Sequence, residues 1–576
     1  MPVINQKKLY NILSNSNVIA SDALEAAIQE SKNQRTDVAQ ILVNKNLASE
    51  TILYETIASG LKLPFVDLSA AKIRRDILTI VPEPIAQLHH IVSFDKTDKA
   101  LKVATLDPDD IQTFEFLEKK VDLPIEIHLT TPSGITSVLK QYRKGLRAEF
   151  REITAEQVEG AGPENLKQLA EDVPVVRIVD TLLEHAIFEN ASDIHIEPTE
   201  KDTVVRYRID GILRDVMALP KQIQSGVVAR IKILANLKID EHRLPQDGRF
   251  KIETDAQRVA FRVSILPVFD GEKIVLRVLN ESAQALTLEQ LGLQPHPMEL
   301  LQRNISKPHG IIYVTGPTGS GKTTTLYTII TKLNTPSVNI STIEDPIEYR
   351  MQRVNQTQVN PKINLTFAAG LRSLLRQDPN IIMVGEIRDT ETAEIATHAA
   401  MTGHLVLTTL HTNDAVTTLP RLTEMGVPSF LVASTTNLVI AQRLVRKICT
   451  HCIESYTLTR TAIANLAKQI NLQNILDVLE HEGAIASAKQ APETLLFYRG
   501  RGCRQCGDSG YKGRIGIYEL LEVTPAVSDI ILRRGNADEL MALAVKQGML
   551  TMLYDGFLKA KAGTTTIEEI LRVTKE

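Results

Sequence analysis

Eight residues, Gly316-Pro317-Thr318-Gly319-Ser320-Gly321-Lys322-Thr323, constrain this chain more than any other part of it. They fit the pattern G-x-x-x-x-G-K-S/T and stand where that pattern has physical meaning, after an apolar run at 310–315 and before a helix expected over 322–333. Glycines here let backbone N–H groups converge on anionic oxygens that bulkier side chains would crowd. The positive N-terminal end of the following helix faces the same charge. Lys322 can reach the β and γ phosphates of a nucleoside triphosphate, Thr323 can ligate Mg²⁺, and Thr324 follows in the same turn.

The surroundings fit a mainly parallel, doubly wound sheet. Apolar strands are expected at 338–343, 380–384 and 404–409, alternating with helices at 367–376 and 392–401. On such a sheet ligands collect at the carboxyl ends of the strands. Glu386 ends the strand Ile381-Ile382-Met383-Val384 and is a candidate Mg²⁺-side carboxylate, where aspartate is commoner. The segment 342–348 carries Glu344, Asp345 and Glu348 just past another strand. Glu348 is the candidate general base and Glu344 the second choice; a solvated acidic turn is the alternative. His404 and His411 flank the strand 405–410, either as structural residues or as partners of the catalytic carboxylate.

A chain of 576 residues is too long for one core, so several domains are expected. The expected division is 1–145, a small N-terminal regulatory or docking domain; 146–173, a linker rich in Glu, Lys, Gly and Ala; 174–285, an α+β domain; and 286–576, the phosphate-binding domain with a helical tail. In the N-terminal domain, 91–94 and 101–104 resemble a hairpin, and 63–68 a loop entering a short strand. The α+β domain opens on a helix at 176–189. Strands at 193–197, 203–208, 249–253, 258–265 and 272–279 follow, with a helix at 227–235. Arg206, Arg208, Arg249, Arg258, Arg262 and Arg277 lie in this domain, and Arg372 and Arg376 lie one turn apart in the next. Arginine is the natural clamp for a transferred phosphoryl group, although each one singly suits a surface ion pair.

The 65 basic and 69 acidic side chains nearly balance, which gives no sign of a nucleic-acid partner. No signal peptide and no apolar run of membrane-spanning length occur, so a cytoplasmic location is expected. Four cysteines form two hooks, Cys449-x-x-Cys452 and Cys503-x-x-Cys506. Together they can close a tetrahedron on Zn²⁺ at the base of a small helical insertion, about 449–506. Redox pairs or free thiols are the alternatives, and His451 is a weaker ligand candidate.

With these motifs in order, the chain resembles a type IV pilus assembly ATPase within the wider type II/IV secretion ATPase family. Residues 316–326 resemble that family's Walker A segment, 342–348 its Asp box, 374–389 its Walker B region and 402–415 its His box. Residues 191–198 and 243–249 are similar to its middle-domain signatures. The resemblance implies a RecA-like P-loop fold and a hexameric ring with ATP between subunits. It implies Lys322 and Thr323 at phosphate and Mg²⁺, Glu348 as general base and Glu386 as the Walker B carboxylate. It also implies Arg262, Arg277, Arg372 and Arg376 around the γ-phosphate. The cysteine hooks resemble the family's zinc region, which retraction motors usually lack, and so imply an extension or secretion motor. Implied partners are an inner-membrane platform protein and a cytoplasmic assembly ring protein, which would hold the motor at the inner face of the membrane. The N-terminal domain resembles one that in some members binds cyclic di-GMP. The Arg-Leu-Gly pattern expected at each binding repeat is missing, with Lys8-Leu9-Tyr10 and Arg35-Thr36-Asp37 in its place, so protein docking is expected there instead. The closest alternative of the same chemistry is a type II secretion ATPase driving a pseudopilus. A DNA-handling P-loop machine and a scaffold that hydrolyses little are the alternatives of other kinds.

Overall fold

The computed structural model describes residues 6–574 except 17, 35–37, 46, 79, 82–84, 87–88, 140, 142–172, 254–257, 281–285 and 504–505. The expected linker lies outside the described residues apart from its last position, as do Arg35, Thr36, Asp37 and Arg504. The chain forms two compact units, Met1–Asn280 and Glu281–Glu576.

The first unit holds two cores. In its N-terminal part, helices Gln6–Asn15, Ser21–Gln34, Val38–Asn44 and Glu50–Leu61 precede a three-stranded sheet of β1 (Ile91–Lys96), β2 (Leu101–Thr105) and β3 (Ile125–Leu129). The β1–β2 pair is antiparallel, the hairpin expected from 91–94 and 101–104. β3 runs parallel to β2 because the helix Ile111–Val121 carries the chain back between them. The short strand expected at 63–68 reduces to one bridge, Phe65 to Leu129; Pro64 offers no N–H to extend it. Leu13, Leu24, Leu53, Ile57, Leu101 and Val103 are buried together beneath these elements.

The second core lies on a six-stranded antiparallel sheet of β4 (Asp193–Pro198), β5 (Asp202–Ile209), β6 (Ile212–Pro220), β7 (Gln246–Glu253), β8 (Arg258–Val268) and β9 (Gly271–Asn280), in the order β6-β5-β4-β9-β8-β7. Period-two burial sends Val259, Phe261, Val263 and Ile265 inward from β8 and leaves Arg262 in solvent. β6 escapes the sequence reading because most of its residues are half-buried or exposed, so it shows no clean alternation. The helix Val173–Phe188 packs beneath, and its Leu182 carbonyl accepts the buried Tyr207 hydroxyl at 2.7 Å. His185 on this helix is 1% exposed, and burial lowers its pKa to about 4, so the ring is neutral.

The second unit is built on a seven-stranded sheet: β10 (Gly310–Thr315), β11 (Ile340–Glu344), β12 (Val354–Gln358), β13 (Ile381–Val384), β14 (Leu405–Leu410), β15 (Thr436–Ile448) and β18 (Tyr511–Glu522). Their order is β12-β11-β13-β14-β10-β15-β18. All pairs are parallel except β15–β18. Helix Lys322–Leu333 is present as expected, and helices Phe367–Leu374 and Thr390–Met401 agree with the expected ones to within two residues at their ends. β12, β15 and β18 were not foreseen, because polar residues such as Gln442, Arg443 and Glu519 interrupt the apolar runs of β15 and β18.

The sequence predicts a helical cysteine insertion. The insertion has the helices Arg460–Ala467 and Leu472–His481, but also an antiparallel pair, β16 (Ile453–Thr457) and β17 (Leu496–Gly500). Ile475, Leu479 and Phe497 share a core with Phe557 and Ile570 of the helical tail. The tail is fixed by buried charge: Glu569 takes Arg446 at 2.6 Å and Arg572 at 2.9 Å. Burial alone would raise the Glu569 pKa, but the two guanidiniums outweigh it and hold the group at about 2.

Candidate nucleotide-binding site and cysteine centre

Strands β11, β13, β14 and β10 lie side by side, and all four end at the same edge of the sheet. Ile343 is level with Val384, Val384 with Thr408, and Thr315 with Leu410. Segments far apart in sequence are thereby delivered to one place: Glu344, which ends β11, with the residues to Glu348 beyond it, Gly385-Glu386 after β13, His411 after β14 and Gly316 after β10.

The loop after β10 requires its glycines. Gly316 has φ +141°, and a Cβ there would stand 2.5 Å from the Gln442 carbonyl oxygen; Gly321, at φ +89°, starts the helix. Pro317, Thr318 and Gly319 form an exposed crest, while Gly316 and Ser320 are buried. From β15, the Gln442 side-chain amide donates to the Ser320 carbonyl at 2.6 Å, and its oxygen accepts the Thr325 hydroxyl at 2.7 Å. Gln442 therefore ties both sides of the loop. The Ser320 hydroxyl is buried without a hydrogen-bond partner among the described residues, and the first turn from Lys322, which carries Thr323 and Thr324, holds no acidic side chain. Lys322 Nζ folds back onto the carbonyls of Gly316 at 2.7 Å and Pro317 at 3.1 Å. Burial lowers its pKa to about 8, with Glu386 pulling the other way. These features suit an anion: unspent donors, a cation held in reserve, and a carboxylate within electrostatic reach of it.

Glu386 is 9% exposed, with Arg388 on Oε1 at 2.7 Å and His411 Nε2 on Oε2 at 3.1 Å. His404 Nδ1 instead meets the Ala399 carbonyl of its own preceding helix at 2.9 Å, a structural use. Glu344, expected near nucleotide, is 2% exposed. Its oxygens are taken by Tyr327, by Thr342 at 2.5 Å and by Gln356 at 3.2 Å, so it orders the loop rather than facing a ligand. The Tyr327 hydroxyl also lies 3.4 Å from the Glu348 backbone nitrogen, which links the half-buried Glu348 to the same network. Thr315 and Thr412 hydroxyls meet at 2.6 Å, and Thr412 meets Thr418 at 2.6 Å, a polar chain joining β10 to the segment after His411. Gln442, Tyr327 and the threonine chain were missed from sequence. Buried polar residues within apolar strands and helices were the available signal.

The arginines divide by setting. Arg372 pairs with Glu391 at 2.7 Å, and Arg376 donates to the Arg372 carbonyl at 2.9 Å just past the helix end. In the first unit, Arg249, Arg262, Arg277, Asp193 and Arg208 stand opposite one another in a single row across five strands. Asp193 takes Arg277 and Arg208, both at 3.3 Å. Among the described residues Arg249 and Arg262 have no carboxylate partner, and like charges directly opposite repel. That end of the row suits an anion.

The cysteine sulfurs lie 3.8 Å apart for Cys449–Cys503, 3.9 Å for Cys452–Cys506 and 3.7 Å for Cys503–Cys506, and none is in a disulfide. Tetrahedral zinc with Zn–S bonds of about 2.3 Å needs sulfurs about 3.8 Å apart. Backbone N–H groups of Cys503 and Gly510 both donate to Cys506 Sγ at 3.2 Å. Burial pushes the Cys452 thiol up and the Cys503 thiol up to about 11, so without a cation these thiols crowd one another uncharged. The residues fit a closed four-thiolate site, and His451 is not part of the cluster.

A family model described as type II/IV secretion system protein matches residues 168–572, and one described as MshEN domain matches 61–149. The second match begins after Lys8-Leu9-Tyr10 and Arg35-Thr36-Asp37. The type IV pilus assembly ATPase PilB of Myxococcus xanthus is 38% identical over 575 residues, 98% of each chain. That of Pseudomonas aeruginosa is 38% identical over 563 residues, 96% of each chain. The type II secretion system protein E of Pseudomonas aeruginosa is 46% identical over 413 residues, 72% of this chain and 78% of its own. The structure of the Legionella pneumophila ATPase DotB shares the fold at a TM-score of 0.50 and 24% identity, over 69% of this chain and 95% of its own.

Proposed function

The chain belongs to the type II/IV secretion system protein family, and on that premise we propose that it is a Mg-dependent, ATP-hydrolysing motor that powers type IV pilus assembly. The observation that carries the ATPase reading is the delivery of Lys322, Glu386, His411 and the Glu344-to-Glu348 segment to level ends of neighbouring strands. The pilus assignment is supported by relatives of that name that align over 98% and 96% of their own length, the N-terminal domain included.

ATP would lie across residues 316–323, its phosphates held by backbone N–H groups and by Lys322 released from the Gly316 and Pro317 carbonyls. Thr323 and Glu386 would hold Mg²⁺, which would offset charge on the phosphates. Glu348 orients the attacking water and takes its proton, while His411 and Arg388 keep Glu386 in one orientation. Lys322 offsets charge developing on the γ-phosphoryl group in line with the attack. In a hexamer, Arg262, Arg277, Arg372 and Arg376 supply further positive charge where one protomer meets the next. The row containing Arg249 and Arg262 supports this, because it holds cations in want of an anion. Closure of one protomer on the next would move an inner-membrane platform protein, with a cytoplasmic assembly ring protein as the second partner, and so place the motor at the inner face of the membrane. Zn²⁺ at the four cysteines would be structural.

The second reading, a type II secretion ATPase, is favoured by the higher identity of 46% to a protein of that name, over a shorter span. Deleting the gene and counting surface pili separates the two. Loss of pili, restored by wild type and not by Glu348→Gln, is the expected result. Intact pili with lost enzyme export would assign the chain to secretion instead.

A further inference from the structure

A cluster in the first unit, remote in sequence from every nucleotide motif, is left unexplained by that chemistry. His89, just ahead of β1, meets His185 and Glu189 at the C-terminal end of the helix Val173–Phe188. We propose that these three residues bind a divalent cation of the zinc class and so clasp the N-terminal part of the unit to the domain built on the β4–β9 sheet.

The donor atoms are already gathered. His89 Nε2 and His185 Nε2 each lie 3.9 Å from Glu189 Oε1, and one ligand atom from each of the three residues lies within 4.8 Å of the others. That spacing is too long for hydrogen bonds. Tetrahedral zinc with bonds of about 2.0–2.1 Å needs ligand atoms roughly 3.3 Å apart, a contraction of about half an ångström from each histidine to Glu189 and of at most about 1.5 Å across the set. His185 is 1% exposed, and neither ring nitrogen has a hydrogen-bond partner among the described residues; His89 Nε2 is likewise buried and unmatched. One buried and one half-buried imidazole face the same carboxylate, each with its Nε2 unmatched among the described residues, an arrangement that suits a cation better than a core.

The surrounding residues have the form of a metal site. His89 Nδ1 lies 2.8 Å from Asp110 Oδ2, and Asp110 is itself held by the Thr113 hydroxyl at 2.8 Å. A carboxylate behind one ring nitrogen fixes the tautomer and turns the other nitrogen's lone pair toward the metal. His185 and Glu189 stand four residues apart, and the Glu189 N–H bonds the His185 carbonyl at 2.9 Å, so one helical turn carries two ligands on one face. Glu189 and Asp110 together balance a double positive charge. Two imidazoles and one carboxylate favour zinc-like ions over magnesium or calcium, and leave the fourth position to water. The contact the cation would reinforce already contains Lys120 with Glu184 at 2.8 Å and Phe116 against Phe188 at 4.8 Å between ring centres.

The test uses the full chain at equilibrium with zinc and, separately, with cobalt, so that the cysteine cluster is read independently through its thiolate-to-cobalt absorption. Glu189→Gln, which alters a half-buried ligand, and His185→Gln should each bind one zinc equivalent fewer than wild type while the thiolate band is unchanged. Asp110→Asn should keep the site with weaker affinity, by roughly 10- to 100-fold. Equal zinc uptake by wild type, Glu189→Gln and His185→Gln would overturn the proposal and leave a water-bridged polar cluster. If His185→Gln does not fold, Glu189→Gln decides alone.

Discussion

His411 Nε2 stands 3.1 Å from Glu386 Oε2 while Arg388 holds the other carboxylate oxygen at 2.7 Å. The carboxylate that would face the metal is thus fixed from both sides. His411→Ala should leave ATP affinity within about threefold and lower kcat roughly 10- to 100-fold, the range for loss of an orienting partner. Steady-state kinetics separates the two effects. A rise in KM with unchanged kcat would place His411 in binding instead.

Gln442 spans the loop, with one bond to the Ser320 carbonyl and one to the Thr325 hydroxyl. At about 1 kcal/mol each, losing both should weaken nucleotide binding roughly tenfold to thirtyfold. Gln442→Leu keeps the volume and removes both bonds, and nucleotide titration reads the result. Affinity equal to wild type would show that the loop holds its shape without this strut.

Lys322 links binding to pH. Burial places its pKa at about 8 in the free protein, and a bound polyphosphate raises it by adding negative charge. Binding above that pH therefore takes up a proton. Affinity should be level below about pH 7.5 and fall as pH rises through 8, approaching tenfold per unit. Lys322→Arg, charged throughout, should flatten the profile whatever its absolute affinity. Binding measured at constant ionic strength up to about pH 9.5 checks it.

The cysteine cluster closes an insertion that shares its core with the tail helices, through Ile475 and Phe497 against Phe557 and Ile570. Cys449→Ser should abolish the thiolate-to-cobalt band. It should also lower the apparent melting temperature by roughly 5–10 °C, as should a strong chelator applied to wild type. An unchanged melting curve would mean the thiols need no metal.

What the sequence disclosed follows from physical locality. The turn at 316–323 could be read because its glycines, its lysine and the flanking strand and helix are contiguous. The gathering of the cysteine hooks was legible for the same reason, since residue type and spacing are local. Gln442 was not, because its partners Ser320 and Thr325 lie more than a hundred residues away, and only the placement of β15 beside β10 joins them. Glu344 and Glu348 looked alike as acids after a strand, and only burial under Tyr327, Thr342 and Gln356 sets Glu344 apart. The arginine row is likewise a product of register: nothing in the spacing of Arg249, Arg262 and Arg277 announces that they stand abreast.

The edge bearing Lys322, Glu348 and Glu386 is proposed to bind and cleave ATP. The direct measurement is phosphate release by the purified, assembled full chain with Mg²⁺, beside Glu348→Gln and Lys322→Ala. Turnover is expected in wild type, at least a hundredfold less in Glu348→Gln with nucleotide still bound, and loss of binding in Lys322→Ala. Equal turnover in wild type and Glu348→Gln would remove the base, and an assembled wild-type sample that neither binds nor cleaves ATP would contradict the whole reading.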